Sequence, residues 1–163
     1  MSSQEGTIAN TFLFYKHGVW EPRMQFQESI LLEGNAAEVW MKVSAIRDIP
    51  KYWHGTRSLE IVGGDGRAAR AKVKFAFGGF GEADIYTNEE NRTLIIDYTS
   101  GPFTGRQTVA VGDARITATW DVKFRGVFRI VSKWKEGHFR SGTANALERL
   151  VSGRDVWKPE VED

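Results

Sequence analysis

The stretch RITATWDVKF, residues 115–124, alternates strictly between polar and apolar side chains. Its apolar members are Ile116, Ala118, Trp120, Val122 and Phe124. This period of two predicts a β-strand that buries one face. From Val127 the apolar residues recur every three or four positions as far as Gly153, which predicts a long C-terminal helix. Because a one-sided strand and a one-sided helix each need a partner, we expect the helix to cover the apolar face of the sheet.

Several shorter strands precede this stretch and are separated by turns rich in Gly, Asn and Pro. They are predicted at residues 59–62, 70–77, 82–87, 93–100 and 106–111. The sequence GGFG at residues 78–81 is interpreted as a hairpin connection, because the Lys-Ser/Thr pair of a phosphate-binding loop does not follow it. The alternating segment from Met24 to Glu33 predicts one further strand at the start of the order.

Two short helices are predicted between the first and second strands. Asn35, with a glutamate three residues later, forms a helix-start pattern whose side chains satisfy free backbone N–H groups. Pro50 disfavours the helical conformation of the preceding Ile49, so we expect a break near residues 47–49. A second short helix is then expected to carry Tyr52 and Trp53.

Length and composition predict one folded domain. The chain has 163 residues, of which 41% are hydrophobic, and this length suits a single core. We divide the chain into an N-terminal appendage (1–23), the folded domain (24–153) and a polar C-terminal tail (154–163). The aromatic residues of the appendage are expected to pack on the domain or against a second chain. Its apolar run at 12–15 is too short for a signal peptide or membrane span, so a cytoplasmic location is predicted.

Charge and residue types narrow the classes of function. The 22 Lys and Arg nearly balance the 21 Asp and Glu, so nucleic acid is not an expected partner. The absence of Cys excludes disulfides, thiolate metal sites and a cysteine nucleophile. We therefore expect no metal and no cofactor, and we assign no catalytic residue.

A few positions resemble a known superfamily. The segment from Ile30 to Trp40 reads I-x-L-x-x-N-A-x-x-V-W, and the last strand contains TATW at residues 117–120. With Asp48 and Trp53 between them, these residues and the element order resemble the polyketide cyclase/dehydratase-like branch of the START-like (SRPBCC) superfamily. The resemblance implies an α+β helix-grip fold. In that fold a curved antiparallel sheet of about six to seven strands wraps around the C-terminal helix, and a cavity between them holds an apolar or amphipathic molecule.

The positions expected to face this cavity supply the candidate ligand-binding residues. They are Phe26, Glu28, Trp53, Phe75, Phe77, Tyr98, Trp120, Trp134 and His138. Apolar walls with a few polar groups are typical of binding pockets, although the same aromatic residues also suit an ordinary core. His138 follows Trp134 by four residues, so we expect it on the inward face of the helix. Glu28 is expected inward by alternation, unless a bulge turns it outward.

Three functions remain open. The leading hypothesis is binding or transport of a small hydrophobic or amphipathic ligand in the cavity, by a monomer or a homodimer. The alternative is a cyclase/dehydratase-like enzyme that uses the same cavity with His138 or Glu28 for proton transfer. The third is a peripheral membrane or protein-interaction module, for which a membrane surface is the less favoured partner. It would depend on the basic residues Arg125, Arg129, Lys133, Lys135 and Arg140.

Overall fold

A computed structural model of the chain describes residues 23–126 and 132–153, with side chains of the last helix described from Lys135 onward. The elements are β1 (Arg23–Leu31), α1 (Ala36–Ser44), a 3₁₀ turn (Ile46–Asp48), α2 (Ile49–Tyr52), β2 (Thr56–Gly64), β3 (Ala68–Phe75), β4 (Phe80–Asn88), β5 (Thr93–Ser100), β6 (Phe103–Val111), β7 (Arg115–Phe124) and α3 (Ser132–Ser152). The appendage as far as residue 22, the tail from 154 and the expectations attached to both lie outside the described residues.

The strands form one antiparallel sheet in the order β1-β7-β6-β5-β4-β3-β2. The first strand of the chain pairs with the last, so that Phe26 lies opposite Trp120. Consecutive strands from β2 to β7 are neighbours throughout. The helix α3 packs on β1 and β7. The predicted α+β helix-grip fold is therefore confirmed, including the six consecutive strands before the long helix.

The start of α1 is the predicted one, since Oδ1 of Asn35 accepts a hydrogen bond from the backbone N of Ala37 at 2.8 Å. The predicted effect of Pro50 is wrong in detail. Ile49 is helical, with φ −49° and ψ −48°, and the chain leaves the helical conformation earlier, at Ala45. Pro50 lies in the first turn of α2, where its missing N–H has no intrahelical partner to lose. Tertiary packing buries Ile49 and overrides the local preference.

The inward side of α3 is formed by Phe139, Thr143, Leu147 and Leu150, which follow one another by four, four and three residues. Leu147 and Leu150 are fully buried. Two glycines interrupt the helix at Gly137 and Gly142, and both are exposed. A Cβ atom added at either glycine would meet no described atom within 4 Å. Neither glycine is therefore required by packing, and both weaken the helix.

We expect Gly137→Ala and Gly142→Ala each to raise the free energy of unfolding by up to about 1 kcal/mol, because alanine favours helix and nothing obstructs its methyl group. Urea unfolding measures the change. The matched control is Gly105→Ala in β6, where φ is +132° and a Cβ would lie 2.2 Å from the carbonyl oxygen of Asp121. That variant should lose about 1–3 kcal/mol. Destabilisation by either helix substitution would contradict this account of α3.

Candidate functional site

A continuous set of aromatic rings, here called the aromatic cluster, lies on the inner face of the sheet and on the segments packed against it. Its members are Phe26, Trp53, Phe75, Phe77, Tyr98, Phe103, Trp120, Phe124 and Phe139. Trp120 lies at its centre. The Trp120 ring stacks on Tyr98 at a centroid distance of 6.0 Å and meets Phe139 edge to face at 5.2 Å. The structure thus brings six of the predicted binding residues, Phe26, Trp53, Phe75, Phe77, Tyr98 and Trp120, into one cluster.

Three members of the cluster, Phe103, Phe124 and Phe139, were not among the predicted binding residues. Phe124 was expected on the buried face of the last strand, but not in the binding site. Phe103 was excluded because β6 was predicted to begin three residues later, after the Gly-Pro turn. Phe139 was missed because its neighbour His138 was expected on the inward face of the helix. The available signal for Phe139 was its spacing of four and eight residues from Thr143 and Leu147, which continues the buried row of α3.

His138 is exposed, so the expectation that it lies on the inward face of the helix is wrong. The inward row passes through Phe139, one position further on, because the packed C-terminal half of α3 determines which side faces the sheet. The backbone of Trp134 belongs to α3, but its side chain lies outside the described residues. Neither residue is shown to join the aromatic cluster.

A pair of hydrogen bonds fixes Trp120 against α3. The indole Nε1 donates to Oγ1 of Thr143 at 3.0 Å, and that hydroxyl donates to the backbone carbonyl of Phe139 at 2.7 Å. Both Trp120 and Thr143 are buried. Because a buried indole N–H needs an acceptor, Thr143 determines how the helix sits on the central ring of the cluster.

A second buried polar pair lies deeper in the sheet. The hydroxyl of Tyr98 donates to Oε1 of Gln107 at 3.0 Å. Burial raises the pKa of the Tyr98 phenol well above its ordinary value, and a hydrogen bond with Thr56 opposes the shift only in part. Tyr98 therefore stays protonated and serves as a hydrogen-bond donor rather than a base. Gln107 was not among the predicted binding residues, although Phe103, Gln107 and Val111 share the buried face of β6.

Glu28 lies on the inner face of β1, as its alternation predicted, and the pairing of β1 with β7 is regular through this position. Its carboxylate accepts a hydrogen bond from Nη1 of Arg140 at 3.3 Å. Arg140 also contacts Glu136 and places its guanidinium 4.8 Å from the ring centre of Phe26. The charge of Glu28 is thus compensated at the half-buried margin of the cluster, which does not favour a role as a free base.

Lys135 is turned toward the sheet rather than outward. Its side chain is 5% exposed, and Nζ lies 4.1 Å from the ring centre of Phe77. Burial lowers the pKa of this ammonium group. Lys135 and Arg140 were both assigned to the basic surface of the helix, yet each lies over an aromatic ring. Arg129 and the side chain of Lys133, which belong to the same predicted basic surface, lie outside the described residues, so the membrane-docking hypothesis stays a prediction.

A cleft of about 690 Å³ opens on the opposite, outer face of the sheet. It is lined by Arg23, Asp97, Tyr98, Thr104, Gly105, Arg106, Asp121 and Lys123. Nε of Arg106 donates to Asp97 at 2.7 Å, and Nε of Arg23 donates to Asp121 at 2.6 Å. These ion pairs join neighbouring strands, and Gly105 lines the space between them. Both guanidinium groups are already held by carboxylates, so this cleft is better explained by sheet pairing than by ligand binding.

The described residues include no helix that is long and apolar enough to cross a membrane. Over the same residues, no group of three or more His, Cys, Asp or Glu side chains is placed to hold a metal ion. The aromatic cluster with its two polar pairs is the candidate functional site.

No protein-family model matches the chain, and no curated protein does. Solved structures match over most of their length. A START superfamily protein from Mycobacterium smegmatis has a TM-score of 0.61 and 16% identity, covering 79% of this chain and 97% of that one. The Zhui aromatase/cyclase from Streptomyces sp. R1128 has a TM-score of 0.55 and 10% identity, covering 80% and 98%. Norcoclaurine synthase from Thalictrum flavum, in complex with dopamine and hydroxybenzaldehyde, has a TM-score of 0.57 and 17% identity, covering 82% and 89%.

At these identities the likeness establishes the fold. The chain shares the helix-grip fold of these structures, which confirms the fold that the sequence resemblance implied. The similarity does not assign the reactions or ligands of those proteins to this chain.

We expect Thr143→Val to lower the free energy of unfolding by about 1–3 kcal/mol, because it leaves the buried indole N–H of Trp120 without its acceptor. Thr143→Ser is the matched control. It keeps the oxygen atom and removes one methyl group, at a cost of about 1 kcal/mol. Urea unfolding of the two variants compares them directly. Equal losses would show that the hydroxyl contributes only volume.

The Arg23–Asp121 pair predicts a dependence of stability on pH. The hydrogen bond from Arg23 lowers the pKa of the Asp121 carboxyl, so the unfolded chain takes up this proton first as the pH falls. The stabilisation is present near neutral pH and is lost below about pH 4, as the pH passes through the lowered pKa. Asp121 is partly exposed, so Asp121→Asn should cost no more than about 1 kcal/mol at neutral pH. In unfolding curves taken down to about pH 2 this difference should vanish, and Arg23→Met should show the same convergence.

Proposed function

We propose that the protein binds a small hydrophobic or amphipathic molecule between the inner face of the sheet and α3. The observation that carries this proposal is the continuity of the aromatic cluster. It extends from Phe77 and Phe139, which are only partly buried, to the buried pair of Tyr98 and Gln107. Ligand pockets combine such an apolar wall with a few polar groups that orient the ligand.

The rings of the aromatic cluster are close to one another, which affects how a ligand enters. Val109 and Ala118, on the inner face beside Gln107, have no accessible surface. Side chains therefore cover this part of the inner face where an open cavity was expected, and the cavity stays a prediction. Entry requires Phe77 and Phe139 to separate, and Phe139 belongs to the part of α3 that Gly137 and Gly142 weaken.

Binding is favoured over catalysis by the state of the candidate proton-transfer groups. Tyr98 is held protonated, Glu28 is paired with Arg140, and His138 is exposed. A carrier needs only shape, apolar area and one or two orienting hydrogen bonds. The aromatic ligands held by norcoclaurine synthase support this class of molecule through the shared fold.

The proposal is tested with the neutral fluorophore phenylnaphthylamine. We expect saturable binding to one site per chain. Phe139→Ala should weaken binding about tenfold, which corresponds to about 1.4 kcal/mol, because it removes a ring from the edge of the cluster. The matched control is Phe80→Ala, since Phe80 is 71% exposed on the β3–β4 hairpin. Absence of saturable binding, or an equal loss in the control, would contradict the proposal.

A further inference from the structure

Gln107 is a buried side chain whose hydrogen-bonding capacity is only half used. It is 2% exposed. Its Oε1 accepts from Tyr98, while Nε2 has no hydrogen-bond partner among the residues that the structure describes. A buried amide donor without an acceptor destabilises the folded state, because its hydrogen bond to water is lost and not replaced. Such groups are rare in folded proteins and call for a physical explanation.

The surroundings of Gln107 determine whether its amide oxygen or its amide nitrogen has a hydrogen-bond partner. Its neighbours across the strands are Ile96 and Trp120. Ile96 is apolar, and the indole N–H of Trp120 is itself a donor that is engaged by Thr143. Tyr98 remains protonated because burial raises the pKa of its phenol, so its proton goes to the amide oxygen. The amide nitrogen then has no hydrogen-bond partner among the described residues.

The described cations lie elsewhere on the inner side. Lys135 lies over Phe77, and Arg140 pairs with Glu28 at the margin. Arg149 donates from Nη1 to the backbone carbonyl of Tyr52, beside α2. A carboxylate brought to Gln107 would therefore be buried without a paired charge, which is strongly unfavourable. A neutral oxygen acceptor avoids this cost.

We propose that Nε2 of Gln107 donates a hydrogen bond to the bound molecule, and that this molecule is neutral and bears a carbonyl oxygen on an apolar frame. The inference rests on the proposed function, because it names the ligand chemistry of the same site. It divides hydrophobic ligands into two groups. Ketones, esters and similar carbonyl compounds are favoured, whereas fatty acids and plain hydrocarbons are not.

Three probes that share one ring system test this selectivity: acetylnaphthalene, isopropylnaphthalene and naphthoate. Each competes with phenylnaphthylamine for the wild-type protein. We expect the ketone to bind about tenfold more tightly than the hydrocarbon, equivalent to about 1.4 kcal/mol. The carboxylate should bind most weakly of the three. Equal affinity for ketone and hydrocarbon, with saturable binding of phenylnaphthylamine intact, overturns this inference and leaves the proposed function standing.

Gln107→Met removes the donor while keeping the length of the side chain. In this variant the tenfold advantage of the ketone should disappear, while affinity for the hydrocarbon is retained. The matched control Gln27→Met changes an exposed glutamine on β1 and should keep the advantage. The infrared carbonyl stretch of bound acetylnaphthalene supplies an independent readout on the wild type. It should lie at lower frequency than in an apolar solvent, and an unshifted stretch overturns the inference even if Gln107→Met does not fold.

Discussion

Trp120 connects the sheet to the helix α3. Its ring lies opposite Phe26 across the closing strand pair, stacks on Tyr98 and meets Phe139 of α3 edge to face. The hydrogen bond from its indole N–H to Oγ1 of Thr143 fixes where α3 lies over the ring. Aromatic stacking alone would tolerate sliding of the helix, but a buried N–H with one acceptor does not. The position of α3, and with it every residue that α3 presents to the sheet, depends on this contact.

The charged groups of the inner side are arranged so that few of them are available for proton transfer. Arg140 covers Phe26 and compensates Glu28, and Lys135 covers Phe77. These long side chains contribute apolar stems and ring contacts as well as charge. The polar groups nearest the centre of the aromatic cluster are neutral: a threonine, a phenol and an amide. Such a surface suits recognition of an uncharged molecule better than acid–base chemistry.

The two faces of the sheet carry different kinds of side chain. On the outer face, Arg and Asp residues alternate across β5, β6, β7 and β1 and pair with one another, as Arg106 with Asp97 and Arg23 with Asp121. Partly exposed pairs of this kind add modest stability and fix the register of neighbouring strands. On the inner face, neighbouring positions of the same strands carry aromatic rings. The cleft of about 690 Å³ lies on the outer face, whereas the aromatic cluster with its neutral polar groups lies on the inner one.

The sequence by itself determined the order of the elements, because periods of two and of three to four report directly which face of a strand or helix is buried. The predicted strand Thr93–Ser100 coincides with β5, and alternation placed Glu28 and Trp120 on the inner face. Only the tertiary structure decided between His138 and Phe139, since a one-residue rotation of α3 follows from how its C-terminal half packs. The tertiary structure also decided that Lys135 turns toward the sheet. It decided too that Oε1 of Gln107 has a hydrogen-bond partner, while Nε2 has none among the described residues. Hydrogen-bond partners come from strands and helices far apart in the chain, and no local pattern records them.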